Sequence, residues 1–252
     1  MLRWPRFRQP VRLTGSPPSP NGASSFHLWW QLTSGEAVTE VNAVVEIVSA
    51  PAVRSLYFWA LQVGFAREGR SVGAGHTGLQ WHPAAPGGAV NWGGYGETGA
   101  ELTGTPSSLP EVDSPNTLIW PWQPGRPYRL SVSRGTPGHW RSQITDLVDG
   151  RHVTLRELAV DATELTSPVV WTEMFARCDD PVVRARWSQL QVRRADGVTL
   201  APSALVTTYQ SVAEGGCSNT ESQADGAAVL QTSGLPGHRS GHHGQTLPYG
   251  DP

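Results

Sequence analysis

Lysine is absent from this chain of 252 residues, so all 19 basic residues are arginine. The formal net charge is -2, and without an extended basic field nucleic acid is not an expected partner. No apolar run reaches the length that a transmembrane helix requires, so we expect no membrane span. The N-terminus carries charge but no apolar signal-peptide core. The sequence alone therefore indicates a cytoplasmic protein, and it leaves open export by another route or a misassigned first Met.

Cysteine is scarce, with only Cys178 and Cys217 in the chain. They lack the CxxC spacing of zinc sites, so no metal centre is predicted from them. They are buried thiols in a cytoplasmic protein or a disulfide pair in an exported one. We predict no cofactor, although three aspartates leave calcium open as a loop ligand because calcium prefers hard oxygen ligands. They are Asp161, Asp179 and Asp180.

Familiar catalytic signatures are missing as well. The chain has no GxSxG nucleophile elbow. Its glycine-rich segments GAGHTG and GGYGETG do not follow the strand-to-helix pattern that phosphate-binding loops need. The sequence therefore names no reaction by motif.

Turn-forming and aromatic residues are abundant, with 28 Gly, 21 Pro and 11 Trp, which favours many turns and short strands. The segment Ser55–Ala66 is apolar on both faces, which predicts a strand in the middle of a sheet. We expect Gln62 on this strand to hydrogen-bond the adjacent backbone, because a buried unpaired amide costs about 1–3 kcal/mol. Asp149–Gly150 lies between two alternating segments and predicts a hairpin turn. About ten such strands predict an all-β fold, an antiparallel β-sandwich or jelly roll.

Composition divides the chain into three parts. We predict a flexible basic arm over residues 1–22, a β-sandwich domain over 23–210 and a polar Gly/Ser/His-rich tail over 211–252. Few large apolar residues occur in the tail, so we expect it to be largely disordered, at least over Gly234–Pro252.

Six segments carry a resemblance to a known family: SSFHLWW (Ser24–Trp30), QVGF (Gln62–Phe65), GLQ (Gly78–Gln80), GHWRSQITDLVDG (Gly138–Gly150), WTEMF (Trp171–Phe175) and RWSQLQVRRADG (Arg186–Gly197). They resemble a bacterial family known as a domain of unknown function, whose members often lie beside carbohydrate-associated modules in secreted proteins. The resemblance extends over most of Ser24–Tyr209, and the order of the segments is more specific than any one of them. It implies a lectin-like, concanavalin-like sandwich, a glycan context and a secreted setting, and it implies no active site.

One cluster of aromatic and amide residues is a candidate ligand site. Sugars offer C–H faces that stack on rings and hydroxyl groups that bond to amides, and pockets commonly combine apolar walls with a few polar groups. Neighbouring glycines would let a ligand approach the backbone. Burial of the tryptophans in the core is the competing interpretation. The predicted ligand-binding residues are Gln80, Trp81, Asn91, Trp92 and Tyr95.

Two carboxylates are candidate catalytic groups, Glu97 and Glu173. Glu173 lies between Trp171 and Phe175 on one strand face, where a carboxylate needs a cationic partner or a raised pKa. Arg184 or Arg186 on the next strand could supply that partner. As an acid–base pair the two carboxylates would suit glycoside hydrolysis.

The leading functional prediction is a noncatalytic protein that binds a glycan or polysaccharide by aromatic stacking. The alternatives are a glycan-active hydrolase or lyase that uses Glu97 and Glu173, and a small-molecule enzyme of specialised metabolism on the same fold. The fold itself does not choose between them.

Overall fold

The structure, a computed structural model, describes residues 22–33 and 37–250, so the predicted arm lies almost entirely outside the described residues. Seventeen strands and a single 3-10 turn (Val212–Glu214) make up the regular structure of the described part. The first nine strands are β1 (Ser24–Gln31), β2 (Val38–Ser49), β3 (Tyr57–Arg67), β4 (Arg70–His82), β5 (Ala85–Gly96), β6 (Glu111–Val112), β7 (Ser114–Ile119), β8 (Pro127–Arg134) and β9 (His139–Asp146). The others are β10 (His152–Ala159), β11 (Glu164–Met174), β12 (Val183–Arg194), β13 (Thr199–Leu200), β14 (Ala204–Tyr209), β15 (Glu221–Asp225), β16 (Ala228–Ser233) and β17 (Thr246–Pro248).

The strands form two antiparallel layers. The first layer has the order β17–β14–β1–β11–β3–β4–β5–β7–β6. The second has the order β10–β9–β8–β2–β12–β16–β15, with the short β13 also on β12. The pairing of Leu165 with Val38 joins the layers. The prediction of an all-β antiparallel sandwich of the jelly-roll class is confirmed. The hairpin predicted at Asp149–Gly150 is the turn between β9 and β10.

The core lies between the two layers because each central strand sends alternate side chains inward. On β3 the inward residues Tyr57, Trp59 and Leu61 are at most 1% exposed. The opposite face of β3 is largely buried as well, and its Phe58 and Ala60 form a second, smaller apolar cluster with residues of β11. The central position predicted for this strand is therefore observed, and its outward face supports the candidate site.

Residues 211–250 differ from the disordered tail expected from their composition. They contain β15, β16 and β17. β16 pairs with the sandwich strand β12, β17 pairs with β14, and β15 pairs with β16. Polar contacts, and not a large apolar core, fix this segment to the sandwich. Glu221 accepts hydrogen bonds from the backbone N–H groups of Ser240 and Gly241, and Asn219 donates to the carbonyls of Cys178 and Leu235. Because these partners are far apart in sequence, composition alone did not reveal them.

Cys178 and Cys217 form a disulfide, with their Cα atoms 5.4 Å apart. The bond connects the segment that follows β11 to the segment that precedes β15, across a sequence separation of 39 residues. Both cysteines are buried in the core.

In the part of the chain that the structure describes, no helix has the length and apolar character needed to cross a membrane.

We expect the double substitution Cys178→Ser and Cys217→Ser to lower the free energy of unfolding by about 2–4 kcal/mol, because the cross-link restricts the unfolded chain. Urea unfolding followed by tryptophan fluorescence measures the change. A reducing agent should lower the stability of the wild-type protein and leave that of the double variant unchanged. Equal stability of the oxidised wild type and the variant would contradict the prediction.

Candidate functional site

The outward face of the first layer carries a groove of about 550 Å³. Four adjacent strands, β1, β11, β3 and β4, form its floor, and β5 forms one side. Side chains two residues apart on a strand share a face, so the strand register arranges the groove residues in cross-strand rows. Thirteen residues line the groove: Ser25, His27, Leu56, Phe58, Gln62, Ala74, His76, Gln80, Asn91, Tyr95, Trp171, Glu173 and Phe175.

One row contains the only carboxylate among these lining residues. Glu173 on β11 is paired with Ser25 on β1 and with Phe58 on β3. Phe58 is paired in turn with Gln80 on β4. Two strand spacings separate the backbones of Glu173 and Gln80, roughly 10 Å, so a ligand group over the Phe58 ring would lie between a carboxylate and a carboxamide.

The next rows form an aromatic wall around Trp171. Its ring lies 4.9 Å from that of Phe58 in an edge-on arrangement, and the imidazoles of His27 and His76 lie 6.1 and 6.0 Å from it. The His76 ring is also 6.4 Å from that of Tyr95. The wall therefore runs from β1 to β5 and offers ring faces and edges to a ligand.

Both groove histidines are neutral at neutral pH. Burial lowers the pKa of His27 from 6.5 to about 4, and burial has the same effect on His76. The charged imidazolium form is disfavoured because little water reaches it. Glu173 is the one acidic side chain among the lining residues.

Two carboxamides line the groove with part of their hydrogen-bonding capacity unused. Gln80 and Asn91 are 5% and 7% exposed, and Oε1 of Gln80 and Oδ1 of Asn91 have no hydrogen-bond partner among the described residues. The Asn91 amide nitrogen donates to the Thr117 hydroxyl over 3.1 Å. Because Oε1 of Gln80 is buried, Nε2 is the remaining polar atom of this side chain.

Four of the predicted site residues come together in this groove: Gln80, Asn91, Tyr95 and Glu173. Trp81 does not join them. Its indole N–H donates to the Val53 carbonyl over 2.9 Å, and it lines a separate cavity of about 350 Å³ with Arg54 and His82. Glu97 is exposed beyond the end of β5 and does not line the groove. The structure therefore does not bring Glu97 and Glu173 together as an acid–base pair.

Trp92 differs most from its predicted role. Its side chain is 0% exposed and its ring contacts the core ring of Phe65 at 6.4 Å, so it offers no surface for stacking. The glycine-rich sequence around Trp92 is typical of a loop, but the segment forms strand β5. A Cβ at Gly93 would lie 2.9 Å from the Asn116 side chain, so this glycine permits close packing within the strand. The structure therefore agrees with the competing interpretation, in which Trp92 is buried in the core.

Sequence reasoning missed the two histidines and gave Gln62 a different role. Gln62 was expected to bond adjacent backbone, but the structure places it half-buried on the groove surface. The two-residue period of a strand could have indicated this position for Gln62, because it places Phe58 and Gln62 on the same face of β3. His27 and His76 needed the register of neighbouring strands, which one sequence does not reveal.

The proposed arginine partners of Glu173 lie in the other layer. Arg186 donates to Asp225 over 2.7 Å and to Glu46 over 3.3 Å, and both Arg186 and Arg184 belong to β12. The aspartates considered for calcium have cationic or backbone partners: Asp161 pairs with Arg67, Asp179 pairs with Arg177, and Asp180 accepts from the Arg177 N–H. Within residues 22–33 and 37–250 no group of three His, Cys, Asp or Glu side chains could hold a metal ion.

Comparison with known proteins finds similar solved structures only. Scytalido-glutamic peptidase with a peptide-based transition-state analogue has a TM-score of 0.47 at 12% identity, and the same peptidase with a transition-state analogue inhibitor has 0.45 at 12%. SCP-B, a member of the eqolisin family of peptidases in complex with the tripeptide Ala-Ile-His, has 0.46 at 13%. Each match covers 82% of this chain and 97% of the other. No protein-family model and no curated protein matches the chain.

The predicted function of carbohydrate binding by aromatic stacking is corrected by the placement of its two tryptophans. Trp92, central to the predicted stacking site, is buried, and Trp81 lines a separate cavity and not the groove. Because the TM-scores are below 0.5, no activity, substrate or catalytic residue is transferred from these structures to this chain.

We expect the protein to lose stability as the pH falls from about 6.5 to about 4. The unfolded chain binds protons at His27 and His76 near pH 6.5, whereas the folded chain binds them only near pH 4, so acid favours unfolding in this window. Each histidine contributes about 2–3 kcal/mol. Urea unfolding at a series of pH values measures the slope.

The double variant His27→Gln and His76→Gln should have a much shallower pH dependence in this window, and each single variant should lie between it and the wild type. A wild-type slope in the double variant would disprove the assignment.

We expect Trp92→Ala to lower the free energy of unfolding by about 3–5 kcal/mol, since it removes a large ring from the core. Tyr95→Ala is the matched change three residues further along β5, on its opposite face, and since its ring is 52% exposed it should cost less than about 1 kcal/mol. Chemical unfolding of both variants tests the contrast. Similar losses in the two variants would contradict the placement of Trp92.

Proposed function

We propose that the groove binds an extended polypeptide and hydrolyses a peptide bond in it, with Glu173 as the acid–base group. The observation that carries this proposal is the cross-strand row of Glu173, Phe58 and Gln80. It sets one carboxylate opposite one carboxamide in a groove whose other lining groups are uncharged at neutral pH.

The row supplies the groups that amide hydrolysis needs. The carboxylate of Glu173 takes a proton from a water molecule, and the water oxygen attacks the carbonyl carbon. The Nε2–H group of Gln80 stabilises the negative charge that develops on the carbonyl oxygen. The protonated Glu173 then gives its proton to the leaving nitrogen as the C–N bond breaks. The products are a carboxylic acid and an amine, and Glu173 returns to its ionised form.

The composition of the groove suits a polypeptide. A peptide backbone presents alternating acceptors and donors. The half-buried carboxamide of Gln62 carries an acceptor and two donors, and the amide nitrogen of Gln80 adds N–H donors. The rings of Phe58 and Trp171 provide apolar contact for side chains. A volume of about 550 Å³ falls within the range of ligand pockets, about 300–1,000 Å³.

Binding of a polypeptide without cleavage is the second candidate. One observation favours it: Gln80 is only 5% exposed, and Gln62 lies about 13 Å along β3 from the row of Glu173. Little carboxamide surface therefore lies beside Glu173, while the aromatic wall remains open to a bound chain.

A location in an oxidising compartment outside the cytoplasm is compatible with the proposed hydrolysis of polypeptides. Disulfides persist mainly outside the cytoplasm, and the Cys178–Cys217 bond agrees with the secreted alternative. We therefore propose export, and a cell-fractionation experiment with the full chain would test it.

We expect the purified protein to cleave a disordered polypeptide, and Glu173→Gln to lower the rate by about 100-fold or more because general acid–base catalysis is lost. Denatured casein incubated between pH 3 and pH 7 is the substrate, and mass spectrometry identifies new termini. Gln80→Leu should lower kcat more than it raises KM if the carboxamide stabilises the transition state.

Glu97→Gln is the matched control, because Glu97 is an exposed carboxylate outside the groove. It should retain the wild-type rate. Cleavage that persists in Glu173→Gln would refute the catalytic role. Saturable casein binding without new termini in the wild type would support the second candidate.

A further inference from the structure

A buried arginine lies outside the groove, on the edge strand of the second layer. Arg156 on β10 is only 6% exposed, and arginine is almost never so buried unless it is paired. Within the described residues it forms no ion pair within 4 Å, and its Nε has no hydrogen-bond partner. Burial lowers the pKa of the guanidinium, while Glu111 and Glu101 act in the opposite direction through their charges.

The local backbone is arranged to hold this side chain in place. The pairing of β10 with β9 shifts register between Thr154 and Arg156, and such a bulge redirects a side chain. Gly104 leaves room for the guanidinium, because a Cβ there would lie 2.6 Å from Nη2 of Arg156. A larger residue at position 104 would displace the cation.

Asn116 connects the buried cation to Glu101 through hydrogen bonds. Its Oδ1 accepts a hydrogen bond from Nη1 of Arg156 over 2.7 Å, and its Nδ2 donates to Glu101. A direct pair between Arg156 and Glu101 would neutralise both charges. The structure instead holds a cation and an anion on opposite ends of one carboxamide.

A cavity of about 410 Å³ lies beside these groups. Arg156, Asn116, Glu101 and Glu111 line it, together with the hydroxyl-bearing residues Thr103 and Thr105. It therefore has a positive wall at Arg156, a negative wall at the two glutamates and neutral donors and acceptors between them.

We propose that this cavity binds a free α-amino acid or another small zwitterion. The carboxylate of the ligand would accept hydrogen bonds from the guanidinium of Arg156, whose planar donors match a carboxylate. Its ammonium group would face Glu101 and Glu111. A simple anion would meet repulsion from the glutamates and a simple cation would meet repulsion from Arg156, so the charges select a ligand that carries both. This site is independent of the groove and of its proposed activity.

The test is a thermal-shift screen of the full-length protein with each of the twenty L-amino acids at about 10 mM, followed by calorimetric titration of those that stabilise it. We expect at least one amino acid to raise Tm by about 2–5 °C, as a ligand well above its Kd does for a chain of this size. The N-acetyl and the carboxamide derivatives of that amino acid each lack one charge, and they should bind at least about tenfold more weakly.

Arg156→Gln should abolish the shift. Since that variant could lose stability, Glu111→Gln is the second test: Glu111 is exposed, so the fold should tolerate the change while binding weakens about tenfold. Glu68→Gln, in the turn between β3 and β4, is the matched control and should bind as the wild type does. The proposal is overturned if no amino acid raises Tm, if the N-acetyl derivative binds equally well, or if Glu111→Gln binds with unchanged affinity.

Discussion

Burial of β3 on both of its faces is the constraint on which the rest of the structure depends. Its inward rings complete the core between the layers, and its outward face cannot be left in water because Phe58 and Ala60 are apolar. Val169 and Trp171 of β11 pack beside these residues. Phe58 and Trp171 also line the groove, so the apolar cluster that shields the outward face of β3 forms part of the groove surface.

The fold was predictable from the sequence because its signals are local. The apolar run Ser55–Ala66 and the turn at Asp149–Gly150 each depend on a few neighbouring residues, and the structure has both. The site was only partly predictable. Gln80, Asn91 and Tyr95 were identified from composition, but their position relative to Glu173 depends on the pairing of four strands, which is a nonlocal property of the chain.

The remaining errors have two physical causes. Glycines near Trp92 looked like loop residues, whereas they allow β5 to pack closely against its neighbours, with the indole turned into the core. The environment of Arg156 was not predictable either, because a one-residue shift in strand register turns this charged side chain inward. The alternation of polar and apolar residues along a strand does not indicate where such a register shift occurs.

Residues 211–250 contribute strands at two different sheet edges. β17 pairs with β14 in one layer, and β16 pairs with β12 in the other. Unpaired strand edges offer rows of free N–H and C=O groups to other chains and promote aggregation. A chain shortened at residue 210 would therefore expose an edge in each layer, and its two open edges could recruit further copies in two directions. The polar C-terminal segment thus helps to prevent the association of sandwiches through their strand edges.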